Sequence, residues 1–147
     1  MYHYTSCGLY NIHLKNGFDI QEGPEGKGVA IHDIDALHLV IAKGIVNKPA
    51  LLSGKEFRFL RIEMDLSQRA VGDLMAKSDQ MVANWEKGNN DIPVLADKAI
   101  RDLYMESVGE SHVTNLLSKL KDLDRHIHEI KFQLSETANG WQLEQCA

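Results

Sequence analysis

A chain of 147 residues with 44% hydrophobic and 25% charged side chains can bury one core and a small second module, but is short for a large enzyme. Its net charge of -5 argues against indiscriminate coating of nucleic acid, which depends on Lys and Arg neutralising phosphates, so any such binding must rest on local positive charge. No apolar run approaches the roughly 20 residues of a membrane span, and the first residues lack the basic start and apolar stretch of a secretory signal. These features, with Cys7 and Cys146 read as free thiols, lead to the expectation of a cytoplasmic protein that makes no membrane contact.

Residues 1–50 read as a small α+β module. Ile12 and Leu14, then Asn16-Gly17, then Phe18 and Ile20 alternate apolar with polar residues about a two-residue turn. Asn-Gly tolerates the positive φ angles of a type I′ turn, so this pattern predicts a hairpin. Gly23, Pro24, Gly26 and Gly28 break the chain before a short third strand at Val29 to Ile31. From Ile34 to Val46, the residues Leu37, Val40, Ile41 and Ile45 recur at helical spacing behind a capping Asp33. Asn47, Lys48 and Pro49 interrupt that pattern and place a module boundary there. His3, His13, His32 and His38 share the module with Cys7, but their spacing fits no compact ligand set, so they are read as structural or surface residues and no metal is expected.

Residues 53–108 are more helical. Phe57, Leu60, Ile62 and Met64 suggest a first helix, Ser67 and Ser78 are N-caps for two more, and Pro93 fits the first turn of a fourth. Ala76 and Lys77 are all that remains for the turn between the second and third, so that pair must cross sharply. Val71, Leu74 and Met75 form one inward face, Val82 and Trp85 another, and Gly72 lets the two helices approach closely. The outward set on the later helix, Asp79, Gln80, Ala83, Asn84 and Lys87, is polar and able to reach base edges and phosphates. Gln80 and Asn84 can each donate and accept, as a clamp on adenine requires, whereas Asp79 either accepts from cytosine or complements the helix N-terminus. Arg69, Lys77 and Lys87 flank this face, and Asn89 and Asn90 can add phosphate hydrogen bonds. Lys and Arg nevertheless number eight against ten Asp and Glu over 53–108, which predicts a modest, salt-sensitive affinity that needs a dimer.

The segment from Leu66 to Gly88, with its Leu-Ser-Gln start and Trp-Glu-x-Gly ending, resembles the Xre-like, or lambdoid phage repressor-like, helix-turn-helix family. The resemblance implies a five-helix DNA-binding domain and a transcriptional regulator, most simply a repressor, that binds double-stranded DNA as a homodimer. By position it implies that Gln68 holds a phosphate and braces the recognition helix, and that Asp79, Gln80 and Asn84 fall where base-reading side chains sit, with Ala83 between them; the capping Ser78 is counted with these DNA-binding residues. It also implies that Arg61 and Glu86 link the first helix to the end of the recognition helix, with Trp85 in the core. Family members place glycine in the turn where this chain has Ala76.

The wider order, Ser6-Cys7-Gly8-Leu9, then Asp35-Ala36-Leu37-His38, then Ser53 to Arg61, resembles regulators related to MqsA-type (YgiT-like) antitoxins. That likeness implies a toxin or other protein as a partner of the N-terminal module. The zinc ribbon of those proteins has no counterpart here, because Cys7 stands alone.

Beyond Gly109, the residues Val113, Leu116, Leu120, Leu123, Ile127, Ile130 and Leu134 alternate spacings of three and four. They predict an amphipathic helix over 110–134 that either pairs between chains as a coiled-coil seam or packs within its own chain. Residues 135–147 read as a flexible tail. The fold class expected is therefore mainly α, with a small N-terminal α+β module, a repressor-like domain and a C-terminal helix. No glycine-rich phosphate loop, nucleophile elbow or His-Glu-x-x-His sequence is present, so neither catalysis nor a cofactor is expected.

Overall fold

Ser53, Ser67 and Ser78 each stand one residue before a helix and cap it. The Ser53 hydroxyl accepts from the Glu56 amide at 3.2 Å while the Glu56 carboxylate accepts from the Ser53 amide at 2.8 Å, a reciprocal box that starts α2, Gly54–Glu63. Ser67 accepts from the Ala70 amide at 3.0 Å ahead of α3, Gln68–Leu74, and Ser78 from the Met81 amide at 3.1 Å ahead of α4, Asp79–Lys87. Asp33 likewise accepts from Ala36 at 3.4 Å ahead of α1, Ile34–Asn47. Pro93 precedes α5, Val94–Ser107, without a side-chain cap. Gly88, at φ 80°, ends α4 in the left-handed conformation that glycine adopts without a Cβ penalty.

The computed structural model describes residues 1–109 and 132–146. The chain divides into two compact units, Met1–Thr114 and Asn115–Ala147. In the first, Phe57, Leu60, Val71, Val82 and Ile100 are fully buried, and Trp85 meets Phe57 edge-on with ring centroids 5.7 Å apart. Each such side chain removed from water contributes roughly 1.5–3 kcal/mol. Ala42 and Ile45 of α1, and Leu9 before it, belong to the same core. The expected boundary near Pro49 is therefore bridged rather than open. Four helices lie within 53–108, and α1 packs on them as the fifth among the described residues.

Arg101 closes that junction. Its guanidinium donates to the carbonyls of Val46 (3.2 Å), Lys48 (2.7 Å) and Ala50 (2.6 Å), satisfying acceptors that the end of α1 leaves unpaired. Asp97, one turn earlier on α5, lies 2.8 Å from Arg101 and accepts from the Leu52 amide at 2.6 Å.

The N-terminal strands pair differently from the sequence expectation. β1, Tyr2–Tyr4, is antiparallel to β2, Ile12–Leu14, while β3, Phe18–Gly23, is antiparallel to β4, Gly26–Ile31. Asn16-Gly17 thus joins two separate hairpins instead of turning one. Gly17 does take φ 81°, but its carbonyl accepts from the His32 amide, one residue past the end of β4. The hairpin turn is Pro24-Glu25, between the paired Gly23 and Gly26, in the stretch read as a chain break.

In the second unit the described residues form one hairpin of β5, Phe132–Thr137, and β6, Gly140–Cys146. This corrects two expectations: Leu134 lies in a strand rather than on a helical seam, and residues 135–146 continue that hairpin rather than form a tail. Ala138-Asn139 is the hairpin's turn, between the paired Thr137 and Gly140; Gly140 takes φ 105°, and the Thr137 hydroxyl accepts from the Asn139 amide at 3.2 Å. The other seam positions, Val113, Leu116, Leu120, Leu123, Ile127 and Ile130, lie outside the described residues. Among the described residues no helix is long and apolar enough to cross a membrane.

Candidate nucleic-acid interface

The α3–α4 pair is held at close range by Gly72. The Lys77 amide donates to the Gly72 carbonyl at 2.8 Å, and a Cβ on Gly72 would stand 2.6 Å from the Lys77 carbonyl oxygen. Only glycine fits there without a backbone shift. Val71 and Val82 fill the angle between the helices, with Leu74 and Met75 half-buried beside them. Ala76 turns the chain at φ 56°, the left-handed region, which costs an L-residue about 1–2 kcal/mol.

Glu86 fastens the far end of α4. Its carboxylate, 3% exposed, accepts from Arg61 Nε at 2.7 Å and from the second Arg61 nitrogen at 2.9 Å, and Gln68 donates to it at 3.2 Å. Arg61 also donates to the Leu66 carbonyl at 2.9 Å, so one guanidinium joins α2, the approach to α3 and the last turn of α4. A buried pair with this two-pronged geometry orients its elements whatever its net contribution to stability. Trp85, 2% exposed, anchors the same turn in the core. Gly54, which sequence reasoning passed over, lets the start of α2 abut this turn: a Cβ there would stand 2.4 Å from the Trp85 carbonyl oxygen. Its signal is a glycine inside a Ser-Gly-x-Glu capping box.

The opposite face of α4 is open. Ser78, Asp79, Gln80 and Lys87 are exposed, and Ala83 and Asn84 half-exposed between them. Gln80 Nε2 donates to Asn84 Oδ1 at 3.2 Å, aligning the two side chains on one face. Asp79 accepts from the Gln80 amide at 2.8 Å, which favours the helix-terminal role over the cytosine-reading one. Arg69, Lys77, Lys87 and Asn89 are exposed around this face, and none of the three cations is ion-paired with a described residue. The arrangement is a rigidly backed helix with amide side chains forward and unpaired cations on its rim.

The histidines lie elsewhere. His3 and His13 stack across β1 and β2 with centroids 4.5 Å apart, His32 meets Asp19 at 2.6 Å, and His38 bridges Tyr4 and Glu63. Among the described residues, no three or more His, Cys, Asp or Glu side chains are disposed to hold a metal. No protein-family model matches the chain, and comparison with the curated proteins and with the solved structures finds no match.

Proposed function

We propose that the chain is a sequence-specific DNA-binding regulator in which α3 and α4 form a helix-turn-helix and α4 enters the major groove. The observation that carries this reading is the exposed Gln80–Asn84 pair at the start of a helix whose other end is clamped by Arg61 and Gln68 through Glu86. A fixed helix with bidentate amides suits direct readout, since each amide matches the adjacent acceptor and donor of adenine N7 and N6. Arg69, Lys77, Lys87 and Asn89 are suited to phosphates on either side of the groove, and Gln68, at the start of α3, to a phosphate and to Glu86 together.

Three exposed cations give one copy few phosphate contacts, so useful affinity calls for two copies on an inverted repeat. Selection from random DNA with the purified protein, read by sequencing, tests the proposal. Recovery of an inverted repeat with adenine at positions lost on Gln80→Ala or Asn84→Ala supports it; no enrichment at low salt rejects it.

A second reading is favoured by Asp79 and by the excess of acids over 53–108: the same arrangement serving as a protein-binding surface. It predicts no sequence enrichment at any salt concentration.

A further inference from the structure

On the other side of α2, the turn Thr5–Gly8 and residues of α1 and α2 border a half-open cavity of about 340 Å³, within the range that small molecules occupy. Its walls include His38, Glu63, Phe59, Ile62 and Arg58. Two of its polar groups are committed to neighbours: Glu63 engages His38 Nδ1 at 2.7 Å, and His38 Nε2 engages the Tyr4 hydroxyl at 2.7 Å. Arg58 is not so engaged. Its nearest carboxylate among the described residues is Glu86, 4.0 Å from Nε, which is already filled by Arg61 and Gln68. The Arg58 side chain is 53% exposed, and its terminal nitrogen lies beside Gly8, where a Cβ would approach to 3.4 Å. Next to this guanidinium, Ile62 leaves 46% of its surface in water, beside a buried Phe59. A half-exposed guanidinium held, among the described residues, only by one long approach to Glu86, and adjoining uncovered apolar surface, is complementary to a molecule with one acidic end and one apolar end.

We propose that this cavity binds a small organic carboxylate, its carboxylate held by Arg58 and its apolar body laid over Ile62. Arg58 is also the residue through which occupancy reaches α4. Drawing its guanidinium toward a ligand removes a positive charge from beside Glu86, the group that fixes the end of that helix. A regulatory meaning for this link rests on the DNA-binding reading above, whereas the cavity and its ligand class do not.

The test uses the full-length protein without DNA, so its failure is separable from failure of that reading. Calorimetric titration with benzoate and with indole-3-acetate should show saturable one-to-one binding of at least one of them. The matching neutral amide, benzamide or indole-3-acetamide, and the Arg58→Gln variant should each weaken binding at least tenfold, while Arg58→Lys retains part of it. The amide arm uses the unaltered protein, so it does not depend on how any variant folds. No saturable binding of either acid, or equal binding of acid and amide, overturns the site. In the same titration followed by NMR, the side-chain amide signals of Gln68 should move in the unaltered protein. Saturation without that movement overturns the connection to α4.

Discussion

Gln80 donates to Asn84 across one turn of α4 at 3.2 Å, which leaves the Gln80 carbonyl oxygen and the Asn84 amide N–H groups facing outward. On the DNA-binding proposal, contact with a base exchanges this hydrogen bond for two to the base edge. Replacing either residue with alanine should cost about 1–3 kcal/mol against the preferred base pair and relax selectivity there. Because the side chains touch, the double variant should lose less or more than the sum of the single losses. Competition binding with site variants measures both effects, and an unchanged base preference in the double variant would remove α4 from the groove.

Backbone strain in the α3–α4 turn gives a prediction about folding. Ala76→Gly should stabilise the protein by about 1 kcal/mol, the left-handed penalty relieved less the entropy gained by the unfolded chain. Urea denaturation at neutral pH reads it.

Four residues earlier the sign reverses. Gly72→Ala places a Cβ 2.6 Å from a carbonyl oxygen, and should destabilise by about 1–3 kcal/mol. A neutral result in the same denaturation experiment would mean that the helices are not held at this separation.

Glu86 offers a test of the clamp. Glu86→Ala leaves the Arg61 guanidinium nearly buried without its carboxylate and should cost about 3–5 kcal/mol. Glu86→Gln keeps the shape and one acceptor oxygen and should cost less. If alanine and glutamine were equivalent, packing rather than the charge-assisted bonds would be holding α4.

Tyr4 provides a pH dependence. Burial, with smaller contributions from nearby Cys7, Glu63 and Tyr2, raises its hydroxyl above the ordinary value of 10.0. The folded state therefore holds the proton more tightly than the unfolded chain does. The associated stability is complete below about pH 10 and declines as pH rises through the raised folded value. Tyr4→Phe should flatten the alkaline fall in melting temperature, at the expense of the hydrogen bond to His38 at neutral pH.

The helices α1 to α5 were legible because their signals are local. Asp33, Ser53, Ser67 and Ser78 cap where they stand, and Pro93 and Gly88 mark ends. Arg61 and Glu86, 25 positions apart, could be paired only through a family resemblance, since spacing alone relates no two residues on different helices. Strand pairing was less legible. Asn16-Gly17 carries the signal of a two-residue turn yet closes no hairpin, whereas at Asn139-Gly140 the glycine already pairs with Thr137 and Ala138-Asn139 makes the turn. At the first, β2 finds its partner upstream in β1 and β3 finds its own downstream in β4. The heptad rhythm likewise ran on into Leu134, where Phe132, Thr137 and Trp141 bring β-forming preferences around a turn. Arg58 gave no signal at all, because its position between a cavity and Glu86 exists only in three dimensions.

Arg101 reaches three carbonyls on both sides of Pro49, and this determines how the first unit comes apart. A segment that could swing would melt by itself, and its amides would trade hydrogen for deuterium ahead of the rest. With the end of α1 tied to α5 and Ala42 and Ile45 inside the common core, the slowest-exchanging amides of α1 should instead open together with those of α2 and α5. Cutting the chain at Pro49 would then yield two fragments that each lack part of one core, and neither would keep its fold without the other.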